Sequence, residues 1–266
     1  MHGRTKEIEL TAALAILAAF LASILTFFTG FGLGTVLLAV FVLVFPVNTA
    51  IAATAVVHLA NNVFKLFLTG RQARLDILLR FGLTALIAAC AGAALLNCLD
   101  SQQIVFDYEV LDRPLKTTPL RLIIGFLMVF FALIDLFGVS EKWTIAPKWM
   151  PAGGILSGFF GGLSGNQGAF RTMFLLKAGL SKEELIGTGA AIGLVVDIGR
   201  LGIYWGQIYG PELPSQFPLL ACATASAIAG TAIGNTLLKR VSLKKIEIAA
   251  SVLLIAIAAG LSTGLF

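Results

Sequence analysis

Charge is scarce in this chain. Of 266 residues only 12% are Asp, Glu, Lys or Arg, against 58% hydrophobic, and the mean hydropathy is +0.94. A soluble domain carries about 25% charged residues, so a soluble fold is excluded. The 19 Lys and Arg outnumber the 14 Asp and Glu. Those cations cluster between apolar runs and form no basic face interleaved with aromatics, which excludes a nucleic-acid partner. Histidine is reduced to His2 and His58, too few for a clustered metal centre, so no metal and no cofactor is expected. The three cysteines, Cys90, Cys98 and Cys222, form no CxxC pair, and their odd number excludes complete intramolecular pairing. They read as small packing residues.

What is present is a series of apolar runs: 10–28, 31–45, 49–69, 81–99, 121–138, 151–163, 166–178, 185–206, 217–238 and 246–265. A hydrocarbon core about 30 Å thick takes about 20 helical residues, so several runs have the length of a span and an all-α polytopic membrane protein is predicted. Arg4 and Lys6 precede the first run as they would in a signal peptide; with no soluble domain following, the run reads as a retained membrane segment. Runs 151–163 and 166–178 reach only about 20 Å each, so together they form one broken helix or a re-entrant hairpin.

An internal repeat bears on that choice. Phe27-Phe28-Thr29-Gly30-Phe31-Gly32-Leu33-Gly34 resembles Phe159-Phe160-Gly161-Gly162-Leu163-Ser164-Gly165. Thr54 then matches Thr188, the pair Asn62/Lys65 matches Asp197/Arg200, and Ala91-Gly92-Ala93-Ala94 matches Ala229-Gly230-Thr231-Ala232. If each glycine-broken run crossed the membrane, the loops with Arg71/Arg74/Arg80 and with Lys239/Arg240/Lys244/Lys245 would fall on opposite sides, against the positive-inside rule. If both are hairpins, these loops share the cytoplasm with Lys142 and Lys148, while Asp100, Asp107, Glu109, Asp112 and Glu212 lie outside, together with Arg4 and Lys6. The same count inverts one half relative to the other. The expectation is two inverted repeats, each a glycine-broken re-entrant hairpin followed by three transmembrane helices. The first repeat spans 1–99 (hairpin 10–45, helices 49–69 and 81–99), with an external loop at 100–120 and its last helix at 121–138. A cytoplasmic linker at 139–150 leads to the second repeat, 151–266 (hairpin 151–178, helices 185–206, 217–238 and 246–265).

Hairpin tips that approach each other near the midplane present free amides at the start of each second arm, and two such ends make an anion site. The predicted substrate-binding residues are Gly30, Gly32, Gly34, Gly162, Ser164, Gly165, Asn166, Gln167 and Arg171. Arg171 lies about one turn into the second arm, and its planar fork suits a multi-oxygen anion; pairing with Asp197 or with backbone carbonyls is its alternative role. His58, Asn61, Asn62 and Lys65 recur at helical spacing on one face, and Asp197 and Arg200 sit at the matching place in the second half. His58, Asn62, Lys65, Asp197 and Arg200 are candidates for coupling or gating, with a helix contact as the alternative and with Lys65 able to snorkel to the interface. Ser181 and Glu184 have the spacing of a capping box.

These motifs carry a resemblance. "FFTGFGLG" and "FFGGLSGNQGAFR", followed by helices that open "AATAVVHLANN" and "GTGAAIGLVVDIGR", resemble the TauE/SafE family of sulfite and organosulfonate transporters over nearly the whole chain outside 100–120. The resemblance implies a bacterial inner-membrane permease of duplicated architecture, a probable exporter of sulfite, thiosulfate or sulfonates, with a small anion and the lipid bilayer as its partners. Many members carry a glycine run and then a proline at each tip; Gly32-Leu33-Gly34 and Gly165-Asn166-Gln167-Gly168 depart from that, and Arg171 stands where many relatives are apolar, which implies an anion preference of its own. Three other readings remain. A passive anion channel would share the same site. A metal-ion transporter would have only His58 and Asp197 as ligands. An intramembrane serine protease is suggested by "GLSG" at 162–165, but both histidines precede Ser164, the reverse of the rhomboid order, so no catalytic residue is assigned.

Overall fold

The computed structural model describes residues 2–29, 32–99, 103–110, 113–143, 145–210, 213–237 and 244–265. Helix α1 (His2–Thr29) is followed by the short α2 (Leu33–Phe41) and then by α3 (Val47–Thr69). Helix α4 (Leu75–Ile77) runs through a π turn at Leu78–Gly82 into α5 (Leu83–Cys98). After two strands, β1 (Phe106–Val110) and β2 (Arg113–Thr117), come α6 (Pro119–Leu136) and a single turn, α7 (Val139–Lys142). The second half holds α8 (Met150–Ser164), α9 (Gly168–Leu175), α10 (Lys182–Ile203), the turn α11 (Trp205–Ile208), α12 (Phe217–Leu237) and α13 (Lys244–Ser262).

Length separates two kinds of helix. With 9, 8 and 15 residues, α2, α9 and α8 reach only about 14, 12 and 22 Å. Among the described residues six segments are long and apolar enough to cross a membrane: Leu10–Phe27, Val47–Gln72, Leu75–Cys98, Pro119–Leu136, Lys182–Ile203 and Phe217–Thr236. The set differs from the sequence expectation at both ends. The first arm of the first hairpin qualifies as a span by itself, whereas α13 opens with Lys244, Lys245 and Glu247 and keeps a shorter apolar stretch, Ile248–Ser262.

Small residues set how closely the helices pack. In lipid no hydrophobic force drives helices together, so backbone approach and dispersion carry the contact. Gly154, Gly158 and Gly162 form a stripe on α8, and a Cβ on each would run into the backbone at Phe81, Ala85 and Ala89 respectively; Gly92 of α5 lies as close to the Phe159 carbonyl. The rising numbers on both sides show that α5 and α8 run parallel. Gly230 and Gly234 of α12 lie likewise against Phe20, Ile24 and Phe27 of α1, and the Ser226 hydroxyl donates to the Ile16 carbonyl at 2.8 Å, so this pair is parallel too. Two other contacts are antiparallel. Helix α6 meets α13 at Gly125 against Ala258, and the Thr117 hydroxyl just before α6 donates to the Ser262 carbonyl. Helix α3 meets α10 with His58 at Asp197, Asn62 at Gly193 and Thr69 at Gly187.

The expected loop at 100–120 contains an antiparallel hairpin in which Phe106 pairs with Thr117 and Val110 with Arg113. Its signal was alternation: Phe106, Tyr108 and Val110 interleave with Asp107 and Glu109. The Tyr108 hydroxyl donates to the Thr263 carbonyl at 2.7 Å, which clasps the hairpin to the end of α13. At the start of α10, Ser181 and Glu184 form the reciprocal capping box.

Candidate functional site

Two breaks in helical structure face each other. Gly32 precedes α2 with φ 106° and Gly165 ends α8 with φ 80°, left-handed conformations that glycine adopts without a Cβ clash. A Cβ on Gly34 would lie 2.8 Å from the Gly165 carbonyl oxygen, so the two tips touch backbone to backbone. Between them is a cavity of about 10 Å³, with Gly32, Gly34, Thr35, His58, Gly168 and Arg171 in its lining. That is room for one water. The first amides of α2 and α9 border it, and neither helix has a side-chain cap among the described residues.

Next to the tips lies a buried polar network centred on Asp197 of α10. Its Oδ2 accepts from His58 Nδ1 at 2.6 Å and from the Asn62 amide at 2.9 Å. A carboxylate only accepts, so the His58 proton sits on Nδ1, and the 3.0 Å approach of the Asn62 amide to that nitrogen is a contact between two donors. Oδ1 accepts from Arg200 Nε at 3.0 Å and from the Gln167 amide at 3.4 Å, and Arg200 pairs with it again through a second nitrogen at 2.8 Å. The Arg200 guanidinium also donates to the Gly161 carbonyl at 3.1 Å, the Tyr204 hydroxyl donates to the Gly162 carbonyl, and the Ser157 hydroxyl donates to the Gln167 carbonyl at 2.7 Å. The end of α8 and the turn after it are thereby anchored to α10.

Arg171 is 5% exposed, one turn beyond the tip on α9. Its guanidinium lies along α10 where Gly189 and Gly193 leave space; a Cβ on Gly193 would come 3.1 Å from an Arg171 nitrogen and 2.6 Å from the Asn62 amide. Among the described residues, the buried basic side chains other than His58 are Lys65, Arg171 and Arg200, and the buried carboxylate is Asp197. Asp197 is bound by Arg200, His58 and Asn62, and Lys65 has no ion-pair partner among the described residues. The half-buried Asp135 lines the tip cavity as well.

The predicted residues divide into three groups. Gly32, Gly34, Gly165, Asn166, Gln167, Arg171 and His58 line the tip cavity. Gly162 and Ser164 do not: Gly162 is pressed against Ala89 of α5, and the Ser164 hydroxyl donates to the Phe160 carbonyl at 3.0 Å while accepting from the Asn166 amide at 3.1 Å. Gln167 lines the cavity but directs its amide N–H to Asp197. Gly30 lies outside the described residues, as do Phe31, Asp100, Asp112, Glu212, Lys239 and Arg240. The polar face of α3 is split, because Asn61 turns to α12 and accepts from the Thr231 hydroxyl at 2.6 Å. Asp135 and Tyr204 were missed. Asp135 had a signal, a carboxylate inside the apolar run 121–138; the Tyr204 contact depends on a helix crossing that spacing does not show.

A family model described as sulfite exporter TauE/SafE matches residues 15–261. The chain belongs to the TauE/SafE family. TauE/SafE proteins are membrane transporters and not enzymes, which removes the protease reading of "GLSG" and accords with the multiple apolar helices. TauE/SafE membership makes this chain a membrane transporter of sulfur anions. No curated protein is similar enough to the chain to count as a match.

Proposed function

We propose that this chain is a secondary transporter of small sulfur oxyanions or sulfonates, working as an exporter in a bacterial inner membrane and binding its anion where the two hairpin tips meet. The observation that carries the reading is the buried Arg171 guanidinium lining a cavity between touching glycine tips, with the first amides of α2 and α9 at its edge. A charge in hydrocarbon costs at least about 2.5 kcal/mol, and an anion held by Arg171 and the amide ends of α2 and α9 offsets that cost.

The proposed architecture is two inverted halves, 1–138 and 151–266, each a hairpin followed by three helices and joined by a cytoplasmic linker. Inversion makes equivalent helices antiparallel where they meet, as α3 does α10 and α6 does α13. It also exchanges partners between halves, and the parallel pairs α1 with α12 and α8 with α5 fit that exchange. Rocking of one half about the seams would open the tip cavity to each side in turn. A cavity with room for one water supports alternating access over an open channel. His58 would couple anion occupancy to the rest of the site, since it lines the cavity and holds Asp197, with Asn62 and Arg200 on the same carboxylate.

The test is calorimetric binding of sulfite, thiosulfate, sulfoacetate, sulfate and acetate to the purified chain and to Arg171→Ala. A hydrogen bond to a charged group is worth about 1.5–3 kcal/mol, so Arg171→Ala should weaken the preferred sulfur anion by about 10- to 150-fold. Equal affinity in wild type and variant would remove Arg171 from the site, and binding of acetate alone would remove the sulfur anions.

A further inference from the structure

Arg171 lines two cavities. The second, of about 30 Å³, is bordered by the polar side chains of Thr26, Asn62, Lys65, Thr172 and Lys182 and floored by Gly189 and Ala190 of α10. Three of its lining residues are cations, and no carboxylate is among the lining residues described. Lys65 is 6% exposed, and no hydrogen-bond or ion-pair partner of its ammonium lies among the described residues. Lys182, at the first position of α10, is exposed and stands at the mouth. Two buried cations bordering one void repel each other, and burial without a counter-charge penalises Lys65. An oxyanion between them supplies that counter-charge and relieves the repulsion, and the Thr172 hydroxyl adds a donor of suitable chemistry.

We propose that this cavity is a second anion site, in which Lys65, Arg171 and Lys182 hold a small oxyanion that passes to or from the hairpin tips. The guanidinium has five donors in a fixed fork, so an anion can exchange Lys65 for the tip amides while keeping Arg171. The order Lys182, Lys65, Arg171, tip amides is a graded path of positive groups from an exposed residue to the buried contact of the hairpins. The hand-over step rests on the anion reading of the tips; the cavity's own affinity does not.

The test is equilibrium binding of radiolabelled sulfite and thiosulfate to the purified full chain, to Gly34→Val, Lys65→Met and Gly34→Val/Lys65→Met, and to Gly34→Val/Lys65→Arg. Size-exclusion profile and melting temperature confirm the fold of each; Gly34→Ala replaces Gly34→Val if the latter does not fold. A side chain at Gly34 meets the Gly165 carbonyl and closes the tip cavity, so Gly34→Val should lose the tip site and keep a weaker one. Adding Lys65→Met should reduce the remaining affinity at least tenfold, and Lys65→Arg should retain it. A folded Gly34→Val that binds neither anion overturns the second site and leaves the tip reading standing. So does Gly34→Val/Lys65→Met binding as well as Gly34→Val. Binding unchanged in Gly34→Val but lost in Lys65→Met upholds the second site and overturns the tip site. Failure of wild type to bind either anion overturns both.

Discussion

Asp197→Asn is the most demanding perturbation of the buried network. Among the described residues Asp197 is the single buried carboxylate, it is paired with Arg200, and its two oxygens take contacts from His58, Asn62, Gln167 and both ends of the Arg200 fork. Asparagine keeps the shape but removes the charge and turns one acceptor oxygen into a donor that faces donors. Breaking a buried pair from one side costs about 3–5 kcal/mol, because the partner stays charged in a dry site. For a chain of this size 1 kcal/mol corresponds to about 2–4 °C of melting temperature, so unfolding followed by tryptophan fluorescence in detergent should shift down by roughly 6–20 °C. The control is Asp197→Asn/Arg200→Met, which removes both charges; replacing a buried pair by apolar groups is close to neutral, so the double variant should recover at least half of the loss. Asp197→Asn melting with the wild type, or a double variant no better than the single one, would refute the assignment of Asp197 as the counter-charge of Arg200.

Gly158→Leu should lower stability by about 1–3 kcal/mol or more through overpacking, because its side chain meets the Ala85 backbone; Ile155→Leu, at a 54% exposed position of the same helix, should be neutral, and equal melting of the two variants would discount the α5–α8 seam. Gly34→Cys paired with Asn166→Cys or Gln167→Cys, with Cys90, Cys98 and Cys222 replaced by alanine and a protease site placed in the 139–150 linker, should give an oxidant-dependent bond that holds the two fragments together. Failure of every pair would contradict the meeting of the tips.

Most of the helices were legible because each is an uninterrupted apolar run, and lipid leaves helices as the economical way to satisfy a backbone. The runs 49–69, 121–138 and 185–206 differ from α3, α6 and α10 only by two or three residues at their ends. The hairpin breaks were legible as glycine clusters, and Gly32 and Gly165 adopt the positive φ that such clusters permit. The strand pair at 106–117 was passed over because a polar segment between membrane helices reads as loop unless its two-residue alternation is weighed. Within the site, residue types were readable and pairings were not. His58 and Asp197 are 139 positions apart, and nothing in their spacing announces a 2.6 Å contact. Gly189 and Gly193 look like ordinary helix-packing glycines in the sequence; only the crossing of α9 and α10 shows them making room for the Arg171 guanidinium.

The most direct test of the central claim is the position of a bound anion. Selenite has the shape and charge of sulfite, and its selenium is located by anomalous diffraction from crystals of the wild-type chain. The account predicts a selenium peak between the tips, bounded by the backbone of Gly34 and Gly168 and by the Arg171 guanidinium. Selenium found elsewhere in the protein with none at the tips would contradict it.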